Sequence, residues 1–408
     1  MKLLNSMMSR FIKVGTMRVI DADGNEHVYA GEPGPEVTLR ITDPKLYTSL
    51  FLNPELRAGE AYMNGTLQIV DGGIRDLLKV FAVNRSNLRD QPMQKLVRGT
   101  YKKIRKLHQR NTVDASKQNV SHHYDLSNDL YRLFLDEDMH YSCAYFRTLE
   151  DTLAEAQQNK LQHIASKLDL KPGQRVLDIG SGWGGMAMYL AAAEDVEVTG
   201  VTLSTEQQQL ATQRAKERGL SDRVRFELID YREVQGPFDR IVSVGMFEHV
   251  GVQQFPAFFG QISELLADDG VALLHSIGRK GGKGTTGAWV RKYIFPGGYS
   301  PALSETLDAV EQSGLWVNDI EILRLHYADT LLAWENNFQE NRDKIAEMLD
   351  ARFCRMWEFY LIMSEFTFRH GKHMVFQMQL TKDVNTLPIT RDYMFAREEE
   401  LEQKKRAK

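Results

Sequence analysis

The chain has 408 residues, of which 42% are hydrophobic and 26% are charged, and its formal net charge is −4. This length predicts one large domain with a smaller one, while the weakly negative charge argues against general nucleic-acid binding. Two cysteines, Cys143 and Cys354, are too few for a disulfide scaffold and indicate a reducing compartment, so the cytoplasm is the expected location.

The opening segment, MKLLNSMMSRFIKV, predicts an amphipathic helix. Its apolar residues recur at helical spacing from Leu3 to Ile12, with basic residues elsewhere on the helix. Polar interruptions make it a poor secretory signal, and no apolar run in the chain approaches the roughly 18 residues of a membrane span. The helix either lies in a membrane surface or docks on its own domain, and we favour docking.

Strand-like runs followed by a helical pattern predict a small α+β domain, which we place at residues 1–90 and associate with lipid or membrane. A basic linker follows at 91–118. It carries basic residues without a single acid between Lys95 and Arg110. Such a run is either a solvated surface or a contact for anionic lipid, and both interpretations stay open. RNA binding is disfavoured because no base-reading motif accompanies the charge.

From residue 170 onward, short apolar runs alternate with helical patterns, which predicts a parallel α/β sheet. The strands are RVLDIG, VEVTGVTL, VRFELID, DRIVSVGMF and GVALLHSIG. After Ser304 we expect a helix, a strand in DIEILRLHY, one long helix from Trp334 to Phe366 and a final strand in HMVFQMQLT. The main domain is assigned to 119–395, and 396–408 is expected to be a charged tail with a frayed helix end.

The segment VLDIGSGWGG is a buried strand that runs into a glycine-rich turn opening a helix. Such a turn lets the backbone approach a ligand closely. The GxGxGG spacing, with Asp178 inside the strand, differs from a dinucleotide site, which also needs an acid at the tip of the second strand. Thr202 occupies that tip region instead. Asp230, closing the third strand, either faces a nucleotide or caps a helix.

Three side chains suited to proton transfer follow strands of the predicted sheet. Glu248 follows the fourth strand, His275 ends the fifth, and Tyr327 follows a later one. Each has a structural interpretation on its own, as a helix-end charge, a strand-end histidine or a core tyrosine. Their convergence on one sheet edge predicts a site that shares protons around a bound species.

Several of these motifs together resemble one protein family. The segments are HHYDLSNDLYRLFLDEDMHYSCAYF, VLDIGSGWGG, VTLSTEQ, GMFEHVG, LLHSIG and YIFPGGYSP, spanning about residue 120 to about 385. They resemble the cyclopropane-fatty-acyl-phospholipid synthases, a family of S-adenosylmethionine-dependent methyltransferases that includes the mycolic acid cyclopropane synthases. The resemblance implies that 119–395 is a Rossmann-like class I methyltransferase domain with a mostly parallel seven-stranded sheet, preceded by the small α+β domain.

The resemblance also implies a reaction. A methylene unit would pass from S-adenosylmethionine to the cis double bond of an unsaturated phospholipid acyl chain, through a carbocation deprotonated by bound bicarbonate. The alternatives are a methyltransferase that leaves a methyl or methylene branch, and a non-catalytic lipid-binding protein. Family resemblance further implies peripheral contact with the inner face of the membrane and a homodimer. Neither a metal nor nucleic acid is expected.

Residue roles follow from the resemblance by motif match. Bicarbonate would be held by Glu248, His275, Tyr327, Cys143 and the backbone of Ile277. The methyl donor would contact Tyr141, Ser142, Gly180, Gly182 and Gln207, with Asp178, Thr202, Asp230 and Tyr231 as further candidates. Cys143 is expected to form part of the wall around the anion rather than act as a nucleophile, because no basic neighbour lowers its pKa.

Overall fold

A computed structural model describes residues 1–89 and 127–406 of the protein. The predicted basic linker at 91–118 lies outside these described residues. So do 119–126, at the start of the predicted main domain, and the last two residues of the chain.

The helices and strands are as follows in chain order. The helices are α1 (Lys2–Phe11), α2 (Lys45–Leu52), α3 (Pro54–Asn64), α4 (Ile74–Arg89), α5 (Asn128–Arg132), α6 (Leu153–Leu168), α7 (Gly185–Ala193), α8 (Thr205–Glu217), α9 (Phe255–Leu265), α10 (Ala288–Tyr293), α11 (Leu303–Glu311), α12 (His326–Glu340), α13 (Arg342–Met348), α14 (Ala351–Arg369) and α15 (Asp392–Arg406). The strands are β1 (Val14–Ile20), β2 (Glu26–Ala30), β3 (Glu32–Ile41), β4 (Leu67–Asp71), β5 (Arg175–Ile179), β6 (Glu197–Thr202), β7 (Val224–Leu228), β8 (Phe238–Val244), β9 (Leu266–Arg279), β10 (Trp316–Leu323) and β11 (His373–Thr381).

The described chain divides into two compact units. The first contains 1–89 together with Thr285–Pro296 and Leu331–Lys372, and the second contains the rest. Two segments that the sequence patterns placed within the main domain therefore belong to the first unit.

The first unit is built around a four-stranded sheet of order β2-β1-β3-β4, in which only β1 and β3 are parallel. Helix α4 packs on β1 and β3. Helix α1 buries Leu4, Met7, Met8 and Phe11, with the Phe11 ring 5.0 Å from that of Phe81. Docking of α1 on its own unit is thus the arrangement observed, because the apolar face is covered by protein.

The second unit contains a seven-stranded sheet of order β10-β11-β9-β8-β5-β6-β7. Strands β9, β8, β5, β6 and β7 are parallel neighbours, while β11 pairs antiparallel with both β9 and β10. The predicted fold class, a mostly parallel seven-stranded methyltransferase-like sheet, is confirmed.

Helices cover both faces of this sheet. The phenylalanines of α9 and the apolar side of α11 pack on one face, and α6, α7 and α8 pack on the other. The strands β5, β8 and β9 are consequently buried on both sides, as parallel strands usually are. Their carboxyl ends remain open, and the candidate site lies there.

The predicted single long helix is wrong, because three helices occupy the region. Helix α12 ends at Glu340, α13 runs from Arg342 to Met348, and Asp350 begins α14 by accepting a hydrogen bond from the Phe353 N–H at 2.6 Å. Aspartate is a preferred helix cap. The apolar periodicity continues across these breaks and therefore concealed them.

The expected frayed tail is also wrong. Helix α15 continues to Arg406, and Leu401 is buried in the core beside α6 and α7. Glu194 accepts from Arg397 at 2.8 Å and from Lys404 at 2.7 Å. Two buried apolar residues, Met394 and Leu401, and ion pairs at both Glu194 and Glu398 hold a helix whose composition alone looked fully solvated.

Within residues 1–89 and 127–406, no helix is long and apolar enough to cross a membrane.

The packing of α15 predicts that Leu401→Ala destabilises the protein. Truncating a buried leucine costs about 2 to 5 kcal/mol, and chemical denaturation measures this change. Glu399→Ala, at an exposed position on the same helix, should change the free energy of unfolding by less than about 0.5 kcal/mol. Equally small effects of the two substitutions would show that α15 does not pack as described.

Candidate active site

A cavity opens at the carboxyl ends of β5, β6 and β8, next to the glycine-rich turn. Gly180, Gly182 and Gly184 follow β5 with φ angles of 82°, 53° and 84°, which favour glycine. A Cβ atom on Gly180 would lie 2.7 Å from the Cβ of Met246. The turn therefore needs glycine both for its conformation and for its close approach to the neighbouring strand end.

All nine predicted donor-binding residues line this one cavity. They are Tyr141, Ser142, Asp178, Gly180, Gly182, Thr202, Gln207, Asp230 and Tyr231. The structure brings together side chains from segments far apart in the sequence, and their contacts with the methyl donor stay predictions.

Two of these residues also have clear structural roles. Thr202 donates from Oγ1 to the Gln207 side chain at 2.9 Å, which ties the end of β6 to the start of α8. Asp230 caps the short 3₁₀ helix Tyr231–Glu233 and accepts two bonds from the Arg232 guanidinium at 2.7 Å. The capping interpretation of Asp230 is therefore confirmed, and the residue also lines the cavity.

The sequence patterns missed Lys160, which α6 places at the cavity wall. The side chain is buried, and its Nζ donates to Ser142 Oγ at 3.0 Å. Burial lowers its pKa to about 8. Nearby, burial raises the pKa of Asp178 to about 7, an effect that Lys160 opposes, and Asp178 Oδ2 has no hydrogen-bond partner among the described residues.

His140 was also missed. Its Nδ1 lies 2.7 Å from Asp136 Oδ2, and Asp136 also accepts from the His140 backbone N–H at 2.8 Å. Although burial opposes ionisation, His140 holds the pKa of Asp136 below its usual value, so the carboxylate accepts and Nδ1 carries the proton. Nε2 is then an acceptor, and it has no partner within the described chain. Lys160 could not have been found from the sequence of α6, because the burial of this helix on nearly every side appears only in the structure.

Glu248 lies in the 3₁₀ turn Phe247–His249 after β8 and is buried. Its Oε1 accepts from the Ile277 backbone N–H at 2.6 Å, whereas Oε2 has no partner in the described part of the chain. Burial raises the pKa of Glu248 to about 7, opposed by the bond from Ile277. The Ile277 N–H, a predicted ligand group, is therefore already engaged by Glu248.

The sequence pattern placed His275 at the end of its strand, and this prediction is wrong. Strand β9 continues to Arg279 because β11 pairs alongside it, with His373 opposite Arg279. His275 is buried, which lowers its pKa to about 3, and its Nδ1 contacts the Gln377 amide nitrogen at 3.2 Å. The imidazole is therefore neutral at physiological pH.

The Cys143 and Tyr327 segments lie next to each other. The Ala144 N–H donates to Thr330 Oγ1 at 3.0 Å, which ties the residue after Cys143 to the first turn of α12, where Tyr327 is buried. Burial also raises the pKa of the Cys143 thiol. A protonated thiol fits the expected wall position rather than a nucleophile.

Both groups of proton-transfer candidates flank the cavity. Met246 and His249, on either side of Glu248, line it, and so does Ser142, the neighbour of Cys143. The predicted bicarbonate ligands themselves are not among the residues that line the cavity. A neutral imidazole and a carboxyl whose pKa is raised to about 7 therefore lie next to residues of the cavity wall, an arrangement suited to proton transfer.

Comparisons with known proteins identify a family. Residues 111–378 match the family model described as mycolic acid cyclopropane synthetase, and residues 3–92 match a domain of unknown function.

Three relatives cover most of the chain. The cyclopropane-fatty-acyl-phospholipid synthase of Escherichia coli is 38% identical over 86% of this chain and 90% of its own. A probable fatty acid methyltransferase of Pseudomonas putida is 37% identical over 91% and 94%. The tuberculostearic acid methyltransferase UfaA1 of Mycobacterium tuberculosis is 34% identical over 93% and 91%.

Solved structures show the same likeness for the larger part of the chain. The cyclopropane synthase MmaA2 from Mycobacterium tuberculosis is 34% identical, with a TM-score of 0.62, covering 65% of this chain and 97% of its own. The mycolic acid cyclopropane synthase CmaA1, solved with S-adenosylhomocysteine (SAH) and CTAB, is 35% identical with the same TM-score and the same coverage.

The raised pKa of Glu248 predicts a pH-dependent effect of Glu248→Gln on stability. Between pH 4.5 and about 7, the folded protein keeps a proton that the unfolded chain releases, so wild-type stability falls as the pH rises through this window. Glutamine cannot ionise, so the variant does not bear the free-energy cost of a buried negative charge. The variant, without ligand, should be more stable than wild type by about 3 kcal/mol at pH 8 and by about 1 kcal/mol at pH 5.

Urea denaturation at both pH values measures this difference. Glu399→Gln, at an exposed position, is the matched control and should show no such pH dependence. If the stability of Glu248→Gln relative to wild type were the same at pH 5 and pH 8, the carboxyl would not be held in its raised-pKa state.

Proposed function

Because this chain belongs to the mycolic acid cyclopropane synthetase family and is an S-adenosylmethionine-dependent methyltransferase, we propose that it is a cyclopropane fatty acid synthase. Its substrate would be the cis double bond of an unsaturated phospholipid acyl chain. The observation that carries this proposal is the buried Glu248 carboxyl, with one unpartnered oxygen and a pKa of about 7, beside neutral His275 at the edge of the cavity.

The cavity suits the methionine end of the donor, which carries an ammonium and a carboxylate. Asp178 Oδ2 and His140 Nε2 are buried acceptors without partners among the described residues, and both fit an ammonium. Lys160 and the Ser142 hydroxyl fit a carboxylate. Tyr141 also lines the cavity, and an aromatic ring can face the sulfonium through a cation–π contact.

In the proposed reaction, the π electrons of the alkene attack the sulfonium methyl group. A carbon–carbon bond forms as the sulfur–methyl bond breaks, which leaves S-adenosylhomocysteine and a carbocation on the acyl chain. Loss of a proton from the transferred methyl group then supplies the electron pair that closes the ring. The protein's contribution is to align the two reactants, to exclude water and to accept the proton.

The residues present fit a small oxyanion such as bicarbonate. Glu248 can hold a proton near pH 7 and direct it from its unpartnered Oε2, so it need not repel an anion. His275 is neutral, and Tyr327 is buried near Cys143. Bicarbonate, when bound, supplies a proton acceptor. The Ile277 N–H could join this ligand set only if Glu248 released it.

A second candidate function is methyl transfer that leaves a branched chain. Two of the relatives, from Pseudomonas putida and Mycobacterium tuberculosis, are named as fatty acid methyltransferases rather than cyclopropane synthases. The two reactions share every step up to the carbocation. Ring closure follows loss of a proton from the transferred methyl group, whereas a branched product forms when the chain loses the proton, or when a hydride shift within the chain precedes proton loss from the methyl group. Proton removal at the transferred methyl group, rather than from the chain, is what the proposal assigns to the Glu248 region.

Peripheral contact with anionic lipid on the inner face of the membrane is part of the proposal, as is a homodimer. The apolar face of α1 is buried within its own unit, so that face does not supply the contact. The basic run from Lys95 to Arg110 has suitable charge but lies outside the described residues.

The proposal predicts a specific product. Purified protein incubated with S-adenosylmethionine and vesicles of a cis-monounsaturated phospholipid should give acyl chains with high-field cyclopropyl proton signals in NMR spectra. A methyl or methylene branch would instead favour the second candidate function. Failure to transfer any carbon, even with bicarbonate supplied, would contradict both.

Substitutions should separate proton transfer from donor binding. Glu248→Gln and Tyr327→Phe are expected to lower kcat by about 10²-fold or more, with little change in KM for S-adenosylmethionine, because acid–base groups typically contribute that much. Cys143→Ser should retain substantial activity, as should the control Cys354→Ser in the first unit. Steady-state kinetics measures both parameters. Near-total loss in folded Cys143→Ser would point to covalent catalysis, and a matching rise in KM for Glu248→Gln would place that residue in the donor site.

A further inference from the structure

We infer that Lys167 and Gln377 are positioning residues that hold His275 in the neutral tautomer with its proton on Nε2. The inference concerns groups behind the imidazole, on α6 and β11, that no motif singled out. It rests on the proposed function only in assigning a use to His275, because the tautomer itself follows from the hydrogen bonds.

The orientation of the Gln377 amide is set by Lys167. Gln377 is buried, and its Oε1 accepts from Lys167 Nζ at 2.7 Å. An ammonium has only protons to donate, so the oxygen of the amide must face Lys167 and the NH₂ group must face the other way. That NH₂ group lies 3.2 Å from His275 Nδ1.

The tautomer of His275 follows from this contact. An amide NH₂ group can only donate, so Nδ1 must present its lone pair, and the proton of the neutral ring must lie on Nε2. Strand pairing enforces the contact, because Gln377 on β11 lies directly opposite His275 on β9. Nε2–H makes no hydrogen bond to any described residue, so it is available to donate to a bound oxygen atom.

A line of charged groups holds Lys167 in place. Lys167 Nζ forms a close ion pair with Glu321, whose Oε2 also lies 2.6 Å from His163 Nε2. The other ring nitrogen of His163 contacts Glu398 closely. Buried lysines are costly unless paired, and Glu321 provides the partner. Hydrogen bonds and ion pairs therefore connect α15 to the His275 imidazole. They fix the position of the Lys167 ammonium group, which orients the Gln377 amide.

The test changes the amide to a carboxylate of the same shape. In Gln377→Glu the carboxylate can pair with Lys167 but can only accept at Nδ1, so the His275 proton should move from Nε2 to Nδ1. ¹⁵N NMR of histidine-labelled full-length protein reports the tautomer, and the His275 signals are assigned by their loss in His275→Gln. Gln235→Glu is the charge-matched control, because Gln235 is exposed and donates to the Glu233 carbonyl at 3.5 Å. Gln379 on the same strand is unsuitable, because its amide also donates to the Lys167 carbonyl.

Wild-type protein should show the Nε2–H tautomer, Gln377→Glu the Nδ1–H tautomer, and Gln235→Glu the wild-type pattern. Lys167→Met, which frees the amide to rotate, should give a mixture and serves as a second variant if Gln377→Glu does not fold. An Nδ1–H tautomer in wild type, or an unchanged tautomer in folded Gln377→Glu, would overturn the inference.

Turnover tests the positioning role separately. If Nε2–H is used in the site, Gln377→Glu should lower kcat about 10²-fold with KM for S-adenosylmethionine unchanged. A moved proton with unchanged kcat would overturn the positioning role. Absence of carbon transfer by the wild-type protein would instead contradict the proposed function. The tautomer of His275 would still be measurable by ¹⁵N NMR, so the two failures are distinguishable.

Discussion

The hydrogen bond from the Ile277 N–H to Glu248, 2.6 Å long and buried, is the interaction on which the site depends. A carboxyl removed from water is costly to ionise, and the hydrogen bonds from the Ile277 N–H, the Glu248 N–H and the Ser276 side chain offset only part of that cost. The group therefore ionises near pH 7 instead of near its usual value. The bond from Ile277 holds Oε1 next to the residues that line the cavity, while Oε2 has no partner among the described residues.

The surrounding structure holds that contact in register. Strands β8 and β9 pair in parallel up to Val244 and His275, so the turn after β8 meets the residues that follow His275. The Glu248 carbonyl accepts from the Tyr299 N–H at 2.9 Å, and the Tyr299 hydroxyl donates to buried Glu305 at 2.6 Å. Packed and hydrogen-bonded neighbours of this kind can hold a buried carboxyl with a raised pKa in a fixed position.

Helix α6 connects the two halves of the site. Lys160 lines the cavity, and Lys167, seven residues or about two turns later, contacts the His275 imidazole through Gln377. Both lysines are buried and both have a lowered pKa for that reason. One helix therefore places one lysine in the wall of the cavity and another behind His275.

Short-range patterns were enough to find the strand ends and the glycine turn. Alternating apolar runs predicted the parallel sheet, and the predicted donor-binding residues line one cavity, because parallel strands present their carboxyl ends at the same edge. Glu248, His275 and Tyr327 are not among the residues that line it. Residue roles came from resemblance and remain to be tested.

Long-range pairing could not be found in the same way. Gln377 meets His275 only because β11 inserts beside β9, a contact across 102 positions of sequence. Lys160 sits on a helix that looks amphipathic and soluble when read alone. The prediction of a frayed tail was wrong for a related reason, since Met394 and Leu401 are buried in a helix that is otherwise mostly charged.

The central claim is that the transferred methyl group loses a proton and closes a ring. S-adenosylmethionine bearing a fully deuterated methyl group tests this most directly, with the phospholipid product examined by mass spectrometry and deuterium NMR. The account predicts a saturated product that keeps two of the three deuterium atoms, with signals in the high-field cyclopropyl region. Three deuterium atoms retained in a methyl branch, or two in an exocyclic alkene, would contradict it.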